Sequence, residues 1–64
     1  MHIEVPAEIA HRANQLTQRA DSLRTQADAL PELLGRTYRR RAAELDLEAW
    51  ALEVRAGAHI PIAA

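Results

Sequence analysis

Four arginines stand close together in the second half of the chain, at Arg36, Arg39, Arg40 and Arg41, with Tyr38 among them. Clustered guanidinium groups can neutralise phosphates, and an exposed tyrosine can stack on a nucleic-acid base. Arginines surrounded by acidic residues are also typical of a solvated helix face, and Tyr38 falls on the apolar seam described below. The formal net charge is −1 at pH 7, which is not the strongly basic footprint of a dedicated nucleic-acid binder. The four arginines therefore indicate a contact with RNA or DNA, as an alternative to the protein contact described next.

A second set of side chains is apolar. Ala43, Leu47, Trp50 and Val54, called the outer stripe from here on, recur at a helical 4-3-4 spacing. They lie opposite the seam of the predicted second helix, and a helix with two apolar sides is expected to be buried on both. Tryptophan is enriched among the residues that dominate binding energy at interfaces. The outer stripe therefore predicts a contact with a second copy of the chain or with another protein.

The tails offer a competing interpretation of the outer stripe. Ile3 and Val5 precede the first predicted helix, and Ile60 and Ile62 follow the second. In an antiparallel hairpin both tails leave from the same end of the molecule. These four side chains would then fold over the stripe and cover it within one chain.

Residue types that support catalysis or metal binding are few. Ser22 is the single serine, cysteine is absent, and no glycine-rich phosphate loop occurs. Glu8 and His11 have the i, i+3 spacing that can place two ligands on one metal, and His2 and His59 would come close together in a hairpin. No second Glu-x-x-His motif accompanies them. We therefore predict a non-enzymatic protein without a metal or another cofactor.

A long heptad pattern predicts the elements that position these side chains. From Ile9 to Leu34, two series with a seven-residue period alternate at a 4-3 spacing. One series is Ile9, Leu16, Leu23 and Leu30, and the other is Ala13, Ala20, Ala27 and Leu34. The later seam has Tyr38, Leu45 and Leu52 at large positions and Ala42, Ala49 and Ala56 at small ones. The pattern predicts two helices packed along an Ala/Leu seam.

The predicted fold is a single all-α domain, an antiparallel two-helix hairpin. Its parts are a tail at residues 1–5, a helix at 6–30, a turn at 31–35, a helix at 36–56 and a tail at 57–64. Pro6 suits the first turn of a helix, and Gly57 suits the position just after a helix end. A chain of this size buries only about 60% of its unfolded surface. We therefore expect the hairpin to dimerise into a four-helix bundle.

Two interpretations of the turn remain open. In the first, the break spans residues 31–35, Gly35 terminates the first helix and Thr37 caps the second. In the second, Pro31 is itself the first residue of the second helix and the loop is very tight. Glu32 and the arginine run favour the second interpretation, because acidic side chains stabilise a first helical turn and basic ones oppose its dipole.

The seam favours the first interpretation. A turn centred between residues 32 and 33 pairs Ala27 with Tyr38 and gives every layer one small and one large residue. It also brings Arg19 near Glu48. A tighter turn near residue 29 shifts the pairing by one heptad and leaves the end of the second helix without a partner.

The small-large layers between Ala13 and Leu52 resemble those of the Rop family of plasmid-copy-number RNA-binding hairpins. The resemblance is one of pattern, with no matching stretch of sequence. It implies an antiparallel four-helix bundle made from two chains. That family reads RNA with basic residues and an aromatic on its first helix, whereas here the first helix has Arg12 and Arg19 without an aromatic. The arginine cluster lies on the second helix instead.

These observations favour a small protein–protein interaction module or regulator, active as a homodimer or bound to another protein. Its predicted contacts are the outer stripe, with Arg39, Arg40 and Glu53 at the rim. The alternatives are a Rop-like RNA or DNA regulator and an accessory subunit that holds another protein in shape. No apolar run reaches transmembrane length. Because cysteine and a signal peptide are both lacking, we expect a cytoplasmic protein.

Overall fold

Two helices packed against each other make up the part of the chain that the structure, a computed structural model, describes, which is residues 5–57. Helix α1 spans Ala7–Asp28 and helix α2 spans Glu32–Arg55, and no strand occurs within these residues. The prediction of an all-helical two-helix hairpin is confirmed. Neither α1 nor α2 combines the length and the apolar character needed to cross a membrane.

Prolines set the first residues of both helices. Pro6 precedes α1 and Pro31 precedes α2, and each has an extended ψ that directs the chain into the helix. The carbonyl oxygen of each proline accepts the first helical hydrogen bond, from Ala10 at 3.0 Å and from Gly35 at 2.9 Å. The missing proline N–H costs nothing there, because the first N–H groups of a helix have no partner within it.

The turn is shorter than the predicted break at residues 31–35, because α2 already begins at Glu32. Pro31 disfavours helical geometry at the residue before it, which limits α1, and the acidic Glu32 suits the positive end of the α2 dipole. Thr37 is not a cap: it lies inside α2 and its hydroxyl donates to the carbonyl oxygen of Leu33 at 3.2 Å. The loop is therefore tight, as in the second interpretation, although Pro31 precedes α2 and is not its first residue.

Gly35 has a different role from the predicted helix terminator. It is buried inside α2 and does not have a positive φ. A Cβ placed on it would lie 3.0 Å from the backbone carbonyl oxygen of Ala27, which is tighter than ordinary van der Waals contact. Glycine avoids this crowding at a point where the two backbones approach closely. Gly57, with φ 88°, has the left-handed conformation predicted for the residue that follows α2.

The position of Gly35 also corrects the predicted register, in which Ala27 faced Tyr38. With Ala27 against Gly35, counting heptads in opposite directions places Ala20 opposite Ala42 and Ala13 opposite Ala49. In that register small residues face small residues instead of alternating with large ones. The cause is the short turn, which brings α2 into contact with α1 three residues earlier than the predicted turn would.

The core is correspondingly thin. Among residues 5–57 the buried apolar side chains are Ala13, Leu16, Ala20, Ala27, Ala42, Leu45 and Ala49. Leu23 and Leu52 pack against this cluster at its margin. Leu34, predicted on the seam of the first helix, belongs to α2 and is 51% exposed. The Ala/Leu seam therefore forms the core, with its closed end made by Gly35.

Replacing Gly35 with valine tests the close approach of the two helices. We expect Gly35→Val to destabilise the hairpin by about 1–3 kcal/mol, because the new side chain overpacks against the α1 backbone. The matched control is Gln18→Val, which puts the same side chain at an exposed helical position and should change stability by no more than about 0.5 kcal/mol. Thermal unfolding followed by circular dichroism measures both, and equal midpoints would contradict the role given to Gly35.

Candidate interaction surface

The outer stripe lies on the side of α2 that faces away from α1. Leu47 is 64% exposed and Trp50 is 55% exposed, Ala43 is exposed as well, and Val54 is half-buried. At about 100° per residue these four positions fall within one narrow sector of α2, opposite buried Ala42 and Ala49. The helix is therefore apolar on two sides, and only the inner side is covered by α1.

The exposed face continues beyond the outer stripe toward the turn. Leu33 is 76% exposed, and Arg36 and Arg40 are exposed as well. Helical spacing places all three in the same sector as Leu47. Two of the four clustered arginines, Arg36 and Arg40, therefore share one continuous face of α2 with the outer stripe.

Val5 is one of the four tail residues that were predicted to cover the outer stripe. Val5 is half-buried and lines a small groove on one edge of the hairpin with Ala10, Ala13, Asn14, Thr17 and Glu53. This groove lies between α1 and Glu53 of α2, and its lining does not include Leu47 or Trp50. Ile3, Ile60 and Ile62 lie outside the described residues.

The arginine cluster is divided among different surroundings. Arg39 bonds to Asp28 across the helices, with Nη2 3.2 Å from Oδ1, and Arg41 approaches Glu44 at 3.5 Å. Arg36 and Arg40 form no ion pair with another residue of the range 5–57. Tyr38, which the alternative needs to be free for stacking, is half-buried on the seam side. The four arginines therefore do not make one patch.

A basic groove on one edge of the hairpin was missed by sequence reasoning. Arg12 and Arg19 of α1 and Arg41 of α2 line it together with Glu48, and its volume is about 390 Å³. Its floor is Leu16 and Leu45. The signal was present in the seven-residue spacing of Arg12 and Arg19 beside the seam, but joining them to Arg41 requires the register. Arg19 and Glu48 share this groove without an ion pair within 4.0 Å.

The opposite edge carries the contacts that tie the helices together by charge. Arg24 of α1 donates to Asp46 of α2 and also to Asp21, with Nη1 3.3 Å from Oδ1. The hydrogen bond to Asp46 is the main reason that the pKa of Arg24 is raised above its ordinary value. Arg39 and Asp28 form the second cross-helix pair. The two edges of the hairpin thus differ: one is neutralised and the other has an excess of arginine.

No metal site is assembled within the described residues, where groups of three or more metal-ligating side chains are absent. Glu8 and His11 are both exposed on α1. His2 and His59 lie outside the described residues. Ser22 is exposed, and its hydroxyl oxygen accepts a hydrogen bond from Gln26 at 3.2 Å.

Comparison of the chain with protein-family models, with curated proteins and with solved structures found no match in any of the three.

The contribution of the Arg24–Asp46 ion pair to stability can be tested by mutation. Arg24→Gln and Asp46→Asn should each lower the thermal midpoint, and the double variant should lose less than the sum, because the two side chains interact directly. The control is a double-mutant cycle on the Arg41–Glu44 pair. It should show a smaller interaction between the two side chains, because this pair lies within α2 and does not join the two helices. Added salt should reduce both couplings. If the changes in midpoint of the two single variants added up to that of the double variant, the cross-helix bond would contribute nothing to stability.

Proposed function

We propose that this chain is a non-enzymatic protein–protein interaction module that self-associates through the outer stripe, forming a four-helix assembly from two hairpins. The observation that carries the proposal is the exposure of Leu47 and Trp50 on the side of α2 that α1 leaves uncovered. Isolated exposed apolar residues are ordinary, but a continuous apolar line along a helix is characteristic of an interface.

The thin core supports the same proposal. Most buried side chains of the described hairpin are alanine, so folding of one chain removes little large apolar surface from water. Small domains without disulfides or metals commonly obtain the missing burial by association. A second copy of the chain is the simplest partner for the outer stripe, because under two-fold symmetry the stripe of each copy covers the stripe of the other.

Magnitudes show what such an interface requires. Fully burying a large apolar side chain stabilises by about 1.5–3 kcal/mol, so two leucines and two tryptophans contribute at most about 6–12 kcal/mol. Association itself costs about 4–15 kcal/mol in lost rigid-body freedom. The two terms are of similar size, so further contacts along α2 are needed for a stable pair.

Removal of the indole tests the proposed interface. Light scattering should give twice the 7.1 kDa of one chain, and Trp50→Ala should return the mass to that of one chain while the helical content at low temperature is retained. Leu34→Ala is the matched control, because it removes an exposed apolar side chain that lies off the stripe. It should leave the mass unchanged.

The single tryptophan gives a second measurement on the unchanged chain. Trp50 emission should shift to longer wavelength on dilution, because separation of the two copies exposes the indole to water. A tail of the same chain folded over the stripe would make the emission independent of concentration. An unchanged mass in Trp50→Ala together with concentration-independent emission would overturn the proposal.

As a second candidate function, the basic groove favours the alternative of an RNA or DNA regulator. Arg41 of the predicted cluster meets Arg12 and Arg19 there, and three guanidinium groups along a groove can follow a phosphate backbone. A gel-shift assay at low salt with duplex RNA and duplex DNA should then show retention that weakens steeply as salt rises.

Two charge-matched variants separate this alternative from general charge effects. Arg19→Gln should lower the affinity for nucleic acid, whereas Arg55→Gln, which removes one exposed charge outside the groove, should have little effect. Absence of retention with both nucleic acids would remove the alternative.

A further inference from the structure

The outward face of α2 carries a second heptad pattern that runs almost the full length of the helix. One series is Leu33, Arg40, Leu47 and Val54, and the other is Arg36, Ala43 and Trp50. The two alternate at a 3-4 spacing, which is the spacing of a coiled-coil seam. Each member is exposed or half-buried in the single chain. The outer stripe is therefore the middle and end of a longer line that includes two arginines.

A parallel arrangement of two copies would juxtapose identical positions. Arg36 would meet its own mate and Arg40 would meet its own mate, so that four guanidinium groups repel one another within the seam. Ala43 would face alanine and leave a gap, while Trp50 would face tryptophan in the same narrow layer. Charge and volume both oppose this arrangement.

An antiparallel arrangement matches unlike positions, because the two heptad series then face each other. The resulting layers are Arg36 with Val54, Arg40 with Trp50, and Ala43 with Leu47, and the two-fold axis generates the same three layers again on its other side. Every layer that contains a bulky side chain has a smaller or differently shaped one opposite. The face of α2 is thus complementary to itself under a two-fold axis that passes between Ala43 and Leu47.

The arginines gain specific partners in this arrangement. Arg40 lies over the indole of Trp50 from the second copy, where a guanidinium stacks favourably on the negative face of the ring. Arg36 lies beside Val54 of the second copy and within reach of the adjacent Glu53, which is exposed. Neither arginine has an ion-pair partner among residues 5–57 of its own chain, so no existing bond must break.

The like charges that approach the two-fold axis are already compensated. Glu44 and Asp46 flank the seam near its centre, and each comes close to its own mate in the antiparallel pair. Arg41 approaches Glu44 at 3.5 Å, and Arg24 bonds to Asp46. The cross-helix bond of Arg24 therefore also removes a repulsion that would oppose association.

We propose that two copies of this chain pair antiparallel along the whole outward face of α2, with Arg40 stacked on Trp50 of the second copy. This inference rests on the proposed self-association and specifies its orientation and register. Arg36 and Arg40 are the residues that select antiparallel over parallel pairing, and Ala43 and Leu47 set the register.

Site-specific cross-linking tests the orientation, since the chain has no cysteine of its own. Arg36→Cys and Val54→Cys are prepared separately, mixed in equal amounts and treated with a short bifunctional maleimide. Antiparallel pairing places residue 36 of one copy beside residue 54 of the other, so the covalent product should contain one chain of each variant. In a parallel pair these positions are about 27 Å apart along the helix at ~1.5 Å per residue, and each variant would cross-link only to itself.

The outcomes separate this inference from the proposed function. Mass spectrometry of the mixture showing only the mixed product supports antiparallel pairing in this register. Products of each variant with itself, or association by light scattering without any mixed product, overturn the orientation while leaving self-association in place. Absence of association in the unchanged chain overturns the proposed function and the orientation together.

A charge reversal tests the stacked arginine independently of cross-linking. Arg40→Glu should weaken association roughly tenfold or more, because it removes a cation from the face of each indole. Arg12→Glu makes the same charge change on α1, away from the outward face of α2, and should leave association within about twofold. Dilution followed by Trp50 emission measures both variants. Equal dissociation constants for the two would overturn the placement of Arg40 on the indole.

Discussion

The close contact between the backbone of α1 at Ala27 and that of α2 at Gly35 determines much of the hairpin. No side chain separates the helices at that point, because a Cβ on Gly35 would already be 3.0 Å from the carbonyl oxygen of Ala27. The connection through Pro31 is short, and alanines at heptad intervals on both helices are buried along the rest of the contact. The hairpin is therefore organised by small residues that permit contact, and the leucines fill space beside that contact.

The helices themselves were predictable because their signals are local. A heptad seam, Pro6 at the start of α1 and Gly57 after α2 each act through a few neighbouring residues. The turn was harder to predict because Gly35 is ambiguous in a sequence: it can end a helix by a positive φ, or it can allow close packing within one. Only the position of Ala27 across the interface distinguishes the two, and that position depends on the length of the turn.

The same dependence explains what could be predicted of the candidate surfaces. The outer stripe is contained within one helix, so spacing alone placed Leu47 and Trp50 together on the exposed side. The arginine cluster was grouped by proximity in sequence, although helical geometry distributes those side chains around α2 and toward different partners. The basic groove combines Arg12 and Arg19 with Arg41 from the other helix, so predicting it requires the correct register. The register predicted from the sequence differed from the observed one by three residues.

The two faces of α2 have opposite requirements. Its inner face needs small side chains, because the short turn holds the helices close, and this limits the apolar burial that one chain achieves. Leu45 is the one large side chain of α2 that is buried within the described residues, whereas helical spacing puts Leu47 and Trp50 on the outer face, where they are exposed. A seam made mostly of alanine thus buries little apolar surface while Leu47 and Trp50 remain exposed, which is the physical condition that favours a second layer of helices.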